Sequence, residues 1–405
     1  MPLNDSAQIK YNDPAGGVAS DFGPQINTHV YHRKALIEAA KDRYFSPLAS
    51  VTDMPKHYGK KIKKYHILPL LDDRNINDQG IDAAGATTVN GNLYGSSKDI
   101  GAITAKIPLI SETGGRVNRV GYTRIELEST LENMGIFHEF TQDSLDFDTM
   151  DDLYETFSRE LIQGATEITE DMLQIDLING AGVIRFGGVA TQNSEVTGEG
   201  ANLSLLTFSD LQRMSIDLDN NRTPKQTKMI KGSTMQDTVT VGGGRLLYVG
   251  SEMIPSITKM TDHFGKQAFV SLEHYAYAGD FKAGVNMIHG EIGKVGDFRI
   301  IVVPEMLKWA GAGATETVAN AGYQATGSKY DVFPLLCVGA ESFTTIGFQT
   351  SGKTYKFVIR GKMPAETIDR NDPYGKVGFR SIQWWYSTMI LRNERIALGK
   401  SVAEL

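Results

Sequence analysis

The stretch that decides the fold lies near the C-terminus, where residues 372–393 read DPYGKVGFRSIQWWYSTMILRN. Pro373 and Gly375 are typical of a tight turn, because proline presets one backbone angle and glycine tolerates the left-handed conformation. The aromatic and β-branched residues after this turn predict one long strand with a buried face. We therefore expect the segment to close a β-rich domain.

A second block of similar character occupies residues 290–306, which read GEIGKVGDFRIIVVPEM. Phe298 to Val303 form an apolar run that predicts a buried strand. The glycines at 290, 293 and 296 have the wrong spacing for a dinucleotide-binding loop, and a strand follows them instead of a helix. We expect them to be turn residues between strands.

Length and composition indicate a globular protein of two or three domains. The chain has 405 residues, of which 41% are hydrophobic, enough to form a large core. No apolar stretch approaches the roughly 20 residues of a membrane helix, and the first residues, MPLNDS, lack the features of a signal peptide. We expect a protein that stays in the cytoplasm where it is made, with no membrane partner.

The net charge of −7 at pH 7 argues against tight binding of duplex DNA. A protein that neutralises phosphates normally carries a face rich in lysine and arginine. Mild acidity suits a surface that lies close to nucleic acid without adhering to it.

The first part of the chain contains two segments that predict extended structures. Residues 1–65 are interrupted by proline and glycine around one short helical pattern, so they are either disordered or ordered against another surface. Residues 66–145 combine alternating segments with a long polar, glycine-rich stretch. Such a stretch is uncommon inside a compact domain, and we expect an extended β-hairpin loop that reaches away from the body.

The strongest helical pattern runs from Thr149 to about Asn179 and ends at Gly180, a residue typical of a helix stop. Its length would be about 45 Å at 1.5 Å per residue. The pattern predicts that one apolar stripe is buried and that the acidic residues are exposed. The predicted stripe comprises Leu153, Phe157, Leu161, Ile168, Met172, Ile175 and Ile178.

Helical and strand patterns alternate from Leu203 to about Tyr330, which predicts a mixed α/β domain between the long helix and the C-terminal strands. Residues 208–218 are helical by pattern, and 245–250 predict a buried strand. Ser251 or Glu252 can start a further helix.

Residues 347–354 read GFQTSGKT, a literal match to the phosphate-binding loop pattern. That loop needs a helix after it, whose N-terminal amides hold the phosphates. The following residues, YKFVIRGK, alternate and favour a strand, so we expect Gly352 and Lys353 at the tip of a hairpin.

Residues suited to catalysis or metal binding are sparse. His29 and His32 lack the third and fourth ligands of a zinc site. The single cysteine, Cys337, lies in the apolar run FPLLCV, which predicts a buried structural thiol and excludes an intrachain disulfide. The carboxylates between Asp143 and Asp176 are expected on a solvated helix face. We predict no catalytic, cofactor or metal site and no enzymatic activity.

Opposite charges on separate segments suggest contacts between copies of the chain. The arm and loop carry basic residues, and the long helix is acidic. A basic arm could lie across the helix of a neighbouring copy, although both surfaces could also be ordinary solvated faces. The candidate residues for contacts between subunits are Lys60, Lys61, Lys63, Lys64, Arg116, Arg119, Arg124, Glu155, Glu160, Glu167 and Glu170.

The two blocks at 290–306 and 372–393 closely resemble the major capsid protein of schitovirus-type short-tailed phages. The residues alone predict an α+β protein with projecting arms; the resemblance implies the tailed-phage capsid fold of the Hong Kong 97 (HK97) type. It also implies a domain organisation. Residues 1–65 would be the N-terminal arm, 66–145 the extended loop, 146–205 with 340–405 the peripheral domain with its spine helix, and 206–339 the axial domain.

The function implied by this resemblance is mechanical. Copies would form hexamers and pentamers of an icosahedral shell around double-stranded DNA, without sequence-specific binding, and the implied location is the virion. A portal and a decoration protein are implied partners. No long coiled-coil segment precedes the arm, which favours a separate scaffolding protein. The alternatives are an encapsulin-like compartment shell, which shares the fold, and a P-loop NTPase.

Overall fold

The computed structural model describes residues 10–11, 20–21, 43–67, 112, 124–147, 153–230, 238–241, 244–277, 288–318, 322–350, 353–354, 357–366, 368 and 372–404. The chain divides into two units. The first comprises residues 1–40, 138–160 and 361–380, and the second comprises residues 41–137, 161–360 and 381–405.

The helices agree with the predicted pattern in their main positions. The long helix ends at Asn179 with Gly180 after it, as predicted, and the helix from Phe208 is also confirmed. The latter begins with a reciprocal cap, in which the Thr207 backbone N–H donates to the Asp210 carboxylate at 3.0 Å. The α-helices are α1 (Gln142–Phe147), α2 (Leu153–Asn179), α3 (Phe208–Asn220), α4 (Ile254–Thr258) and α5 (Leu272–Tyr277).

Short strands make up most of the remaining regular structure, together with single turns of 3-10 helix at Ser46–Leu48, Asn193–Glu195, Ser251–Met253, Pro364–Glu366 and Asn393–Arg395. The strands are β1 (Lys10–Tyr11), β2 (Ser20–Asp21), β3 (Ser50–Met54), β4 (Lys61–Ile67), β5 (Arg124–Thr130), β6 (Glu132–Thr141), β7 (Val183–Phe186), β8 (Thr227–Ile230), β9 (Thr238–Val241), β10 (Arg245–Gly250), β11 (Phe269–Ser271), β12 (Glu291–Val295), β13 (Phe298–Val303), β14 (Ala325–Thr326), β15 (Lys329–Tyr330), β16 (Phe333–Val338), β17 (Phe343–Thr350), β18 (Lys353–Thr354), β19 (Val358–Lys362), β20 (Val377–Tyr386), β21 (Thr388–Ile390) and β22 (Ile396–Ser401).

The core of the second unit is a seven-stranded mixed sheet with the order β11-β12-β13-β10-β16-β22-β7. The pairs β10–β13 and β22–β7 are parallel, and the other pairs are antiparallel. All residues of the central strands β10 and β16 are buried. This burial explains why these strands are nearly continuous apolar runs in the sequence, since both of their faces are covered.

Helices cover the two faces of this sheet. One face packs on α3 through Leu211, Met214 and Leu218. The opposite face packs on the C-terminal half of α2 through Leu173 and Leu177. No helix in the described part of the chain combines the length and apolar character that a membrane span requires.

The predicted apolar stripe of α2 is wrong in part. Ile168 and Ile175 are 40% and 47% exposed, whereas Ala165 and Leu173 are fully buried. The buried face also carries the polar side chain of Gln174. A spacing rule cannot distinguish these neighbouring faces, because it does not show which part of the helix meets the sheet.

The C-terminal run forms two strands instead of one. β20 ends at Tyr386, and β21 starts at Thr388, so the strand is interrupted at Ser387. β20 belongs to the sheet β19-β20-β6, whereas β21 pairs with β17, which also pairs in parallel with β3. The Ser387 hydroxyl lies 2.7 Å from that of Ser129, and its carbonyl accepts from the Ile346 N–H at 3.0 Å. The chain therefore moves from one sheet to another at this residue.

The three glycines of the second sequence block have different roles. Gly290 and Gly296 lie in turns with φ values of 80° and 56°, as predicted. The prediction for Gly293 is wrong, because this residue lies inside β12. A Cβ at Gly293 would be 2.4 Å from the Val270 carbonyl oxygen, so glycine permits close approach of β11 at this position.

Candidate assembly surfaces

Two of the predicted basic contact residues of the hairpin β4–β5, Lys61 and Lys63, are paired with acids within the chain. Its antiparallel register places Lys63 opposite Glu128. Lys63 bonds to Glu126 and lies 3.3 Å from Glu128, which also accepts from Lys61. The pKa of Lys63 is raised, and the main cause is its hydrogen bond to Glu126. The pKa of Glu128 is lowered, and the main cause is its hydrogen bond from Lys61. These solvated pairs contribute little stability, but they reduce the positive charge that the hairpin presents.

The other basic candidates in this region have different environments. Lys64 Nζ donates to the Thr52 hydroxyl at 2.9 Å, and the Arg124 guanidinium lies 4.2 Å from the centre of the Tyr65 ring. The Lys60 side chain is exposed. Arg116 and Arg119, together with the side chain of Glu155, lie outside the described residues.

The acidic candidates of α2 do not form one exposed face. Glu160 is exposed and Glu167 is half-buried, with the Gln163 side chain donating to it at 3.4 Å. The prediction that Glu170 is exposed is wrong, because it is 5% exposed. Glu170 is therefore removed from the surface that a neighbouring copy could contact.

Glu170 instead anchors the start of the first 3-10 turn. Its Oε1 accepts from the backbone N–H groups of Tyr44, Phe45 and Ser46 at 3.0, 2.6 and 3.2 Å. Its Oε2 accepts from the Ser46 hydroxyl. A buried carboxylate needs this many donors to compensate for lost hydration. The rings of Tyr44 and Phe45 are thereby held in the apolar cluster between α2 and the large sheet.

The segment that matches a phosphate-binding loop is a β-hairpin, as predicted. β17 pairs with β18 in the antiparallel register Gln349↔Thr354 and Thr350↔Lys353, so the two strands form a hairpin. Gly352 itself lies outside the described residues. The next element is the strand β19. Among the described residues, a strand therefore follows this segment at the place where a phosphate-binding loop needs a helix N-terminus.

The described residues contain no group of three or more metal-binding side chains. His29 and His32 lie outside that part of the chain. Cys337 is buried, as predicted, and burial raises the pKa of its thiol to about 12. A thiol with this pKa is protonated at neutral pH and is a poor nucleophile.

A polar groove of about 940 Å³, which no pattern in the sequence predicts, opens beside β7. Lys400 Nζ donates to the Asn193 side chain at 2.8 Å and lies 4.5 Å from the centre of the Trp309 ring and 5.1 Å from that of Phe186. Desolvation lowers the pKa of Lys400. In the sequence, only the charged Lys400 within the otherwise uncharged strand IALGKS indicates this site. Arg185, Arg213 and Asp210 also line the groove, so it presents several charged side chains that a neighbouring molecule could contact.

Comparisons with known proteins place these surfaces in context. No protein-family model matches the sequence. The chain is 55% identical over 397 residues to the major capsid protein of Pseudomonas phage KPP21, an alignment that covers 98% of each chain. Its fold is similar to the capsid of Ralstonia phage GP4, with a TM-score of 0.58, 12% identity and coverage of 95% of this chain and 97% of that chain. The capsid structure of the cyanophage P-SCSP1u is also similar, with a TM-score of 0.52, 10% identity and coverage of 93% of each chain.

Two chains that are 55% identical over almost their whole length belong to the same family. The two solved structures show that the fold is that of phage capsid proteins. The chain therefore belongs to the family of phage major capsid proteins, has their α+β HK97-type fold, and is a structural protein of the head shell.

Proposed function

We propose that copies of this chain assemble as hexamers and pentamers into the icosahedral head of a schitovirus-type short-tailed phage. The observation that carries the proposal is the 55% identity to a phage major capsid protein over nearly the full length. A closed shell requires each copy to present different, repeatable surfaces to its neighbours. The separate surfaces described above, rather than one pocket, suit this requirement.

The proposed domain roles are an N-terminal arm (1–65), an extended loop (66–145), a peripheral domain (146–205 and 340–405) and an axial domain (206–339). Pairing of β4 with β5 supports a hairpin at the base of the loop. The large sheet contains β7 and β22 from the proposed peripheral domain and β10 to β13 with β16 from the proposed axial domain, and β22 pairs with β16. The two proposed domains thus share one sheet.

The proposed partners are other copies of the chain, a separate scaffolding protein, a portal and a decoration protein. Assembly would take place in the host bacterial cytoplasm. The enclosed double-stranded DNA would be held without sequence-specific contacts, which the net charge of −7 supports.

Negative-stain electron microscopy and sedimentation of the purified chain test this proposal. The chain would be studied alone and coexpressed with candidate scaffolding proteins. We expect closed shells or capsomer-sized rings. A stable monomer under every condition would overturn the proposal.

A further inference from the structure

One short sequence pattern recurs at three exposed turns. The tripeptides Tyr58-Gly59-Lys60, Phe264-Gly265-Lys266 and Tyr374-Gly375-Lys376 each consist of an aromatic residue, glycine and lysine. Their aromatic side chains are 76%, 86% and 84% exposed, and no other large hydrophobic side chain among the described residues exceeds 69%. The glycine φ values are 84°, 70° and 61°, all in the left-handed region. We call these three segments the aromatic turns.

Hydrogen bonds hold the second aromatic turn. The Asp262 carboxylate accepts from the backbone N–H groups of Phe264 and Lys266, both at 2.8 Å. The Asp262 N–H donates to the Lys266 carbonyl at 2.7 Å, and a bridge between Thr261 and Gln267 closes the turn. Phe264 is therefore presented on a well-supported backbone, although it packs against almost nothing.

The third aromatic turn uses the same device. The Asp372 side chain, two residues before Tyr374, accepts from the Val377 N–H at 2.8 Å, and the Asp372 carbonyl accepts from the Gly375 N–H at 3.2 Å. Backbone N–H groups, chiefly that of Lys376, lower the pKa of Asp372. The pattern Asp-x-aromatic-Gly-Lys is thus shared by the second and third turns in both sequence and geometry.

The first aromatic turn is held differently. His57 and Gly59 both have positive φ values, 71° and 84°. The Lys60 carbonyl accepts from the Leu131 N–H at 2.9 Å, which ties the end of the turn to the start of β6. A non-glycine residue with positive φ is uncommon and persists only where the surrounding structure supports it.

We infer that the aromatic turns are preformed anchors that insert their rings into neighbouring copies of this chain, an inference that rests on the proposed function. Aromatic residues are enriched at the centres of protein interfaces, where few residues supply most of the binding energy. A side chain on a pinned turn loses less entropy on binding than one on a mobile loop. Three convex anchors at separate sites suit the heterologous contacts of a shell.

Other occupants fit these turns less well. A small molecule needs a concave site, whereas each ring projects from a convex turn. Duplex DNA presents phosphates to a protein, and Asp262 and Asp372 offset the charge of the lysines in their turns. A second copy of the chain is the most abundant binding partner in a shell built from a major capsid protein.

Hydroxyl-radical footprinting by mass spectrometry tests this inference on the full chain. Oxidation of the three rings would be compared between unassembled chain and purified shells. We expect at least about a fivefold loss of reactivity at the rings in shells. Val318, which is 60% exposed and lies outside the turns, calibrates exposure, and Trp384, which is 3% exposed, should be protected in both states. Rings that react equally in the two states would overturn the inference.

A triple variant, Tyr58→Ser, Phe264→Ser and Tyr374→Ser, provides a second measurement. We expect the concentration needed for assembly to rise at least about tenfold while the thermal midpoint of the unassembled chain is unchanged. Val318→Ser is the control, since it removes a side chain that is 60% exposed and lies outside both the aromatic turns and the groove beside β7. Normal assembly of the triple variant would overturn the inference alone. Failure of the unmodified chain to form shells would overturn the proposed function and this inference with it.

Discussion

Glu170 connects the helix α2 to a segment more than a hundred residues earlier in the chain. Its carboxylate accepts three backbone N–H groups and one hydroxyl, all from residues 44–46. These donors are buried or partly buried, so they cannot regain full hydration if the acceptor is removed. The position of the first 3-10 turn therefore depends on one side chain.

We expect Glu170→Ala to lower the free energy of unfolding of the unassembled chain by about 3 kcal/mol, because it leaves several donors without an acceptor. Glu170→Gln keeps one acceptor oxygen and should cost less. Chemical denaturation measures both, with Glu160→Ala at an exposed position of the same helix as the control. A loss no larger than that of the control would contradict this role.

Glu199 holds a surface loop in a similar way. It accepts from the N–H groups of Thr317 and Val318 at 2.9 and 2.8 Å, from the Tyr330 hydroxyl at 2.6 Å, and from the Thr317 hydroxyl. These donors, the Thr317 hydroxyl foremost, lower the pKa of Glu199 from 4.5 to about 2. The ionised form is therefore favoured in the folded state.

A lowered pKa contributes stability above the unfolded value and loses it as pH falls through the folded value. We expect Glu199→Gln to lower the thermal midpoint by a few degrees at pH 7. The difference from the unmodified chain should shrink below pH 4.5 and vanish near pH 2. Thermal melts of both proteins across this range measure it, and a difference that is independent of pH would be evidence against the assignment.

At the scale of elements, two glycines in regular structure have opposite environments. A Cβ at Gly293 in β12 would lie 2.4 Å from a backbone oxygen of β11, whereas a Cβ at Gly164 in α2 would meet no atom within 4 Å apart from the backbone of its own helix. Glycine is thus required by packing at the first position, and at the second it only lowers helix propensity.

We expect Gly293→Ala to destabilise the unassembled chain by about 2–4 kcal/mol, because strands β11 and β12 must separate. Gly164→Ala should stabilise it by about 0.5–1 kcal/mol. Denaturant titration of both variants gives the comparison. If the two substitutions changed the free energy of unfolding by similar amounts in the same direction, close packing of β11 and β12 would not be the reason for glycine at position 293.

The hairpin β17–β18 illustrates how element type decides function. Its sequence matches a nucleotide-binding pattern, but the residues form paired strands. A phosphate-binding loop instead needs the free backbone N–H groups of a helix N-terminus. We expect isothermal titration with ATP and Mg²⁺ to show no saturable binding, either for the unmodified chain or for Lys353→Ala. Binding that is lost on this substitution would restore the enzymatic alternative.

At the scale of the whole molecule, only some of the predicted residues still support a contact in which the basic arm lies across the acidic helix of a neighbouring copy. Lys61 and Lys63 are paired within their own hairpin, and Glu170 is buried. Glu160 and Glu167 remain as described acidic candidates on α2, and Arg116 and Arg119 remain as basic ones. The predicted contact therefore rests on fewer residues than the sequence suggested.

We expect the double variant Arg116→Glu and Arg119→Glu to block shell assembly and leave the unassembled chain folded, because like charges would then face each other. Electron microscopy measures assembly, and circular dichroism measures folding. The control is Arg116→Lys with Arg119→Lys, which keeps the charge. Reversing Glu160 and Glu167 to arginine should restore assembly of the double variant. Normal shells from the double variant would contradict this contact.

The sequence by itself determined the α+β class, the main positions of α2, α3, β10 and β13, the hairpin at 347–354 and the capsid family. These properties depend on local periodicity, on turn residues and on whole-chain similarity, all of which can be read along the chain. The switch between sheets at Ser387 was not predicted, because a serine within an apolar run carries no signal for a change of partner.

Only the tertiary structure decided which face of α2 is buried, that Glu170 binds residues 44–46, and that Lys61 and Lys63 meet acids of their own hairpin. Glu170 and its partners are separated by 124 to 126 positions, and Lys61 and Glu128 by 67. The aromatic turns belong to both levels, since their tripeptides are visible in the sequence, whereas the exposure of their rings is not. The physical reason is the same in each case, because burial and charge pairing arise from contacts between distant segments, and local sequence patterns contain no information about those contacts.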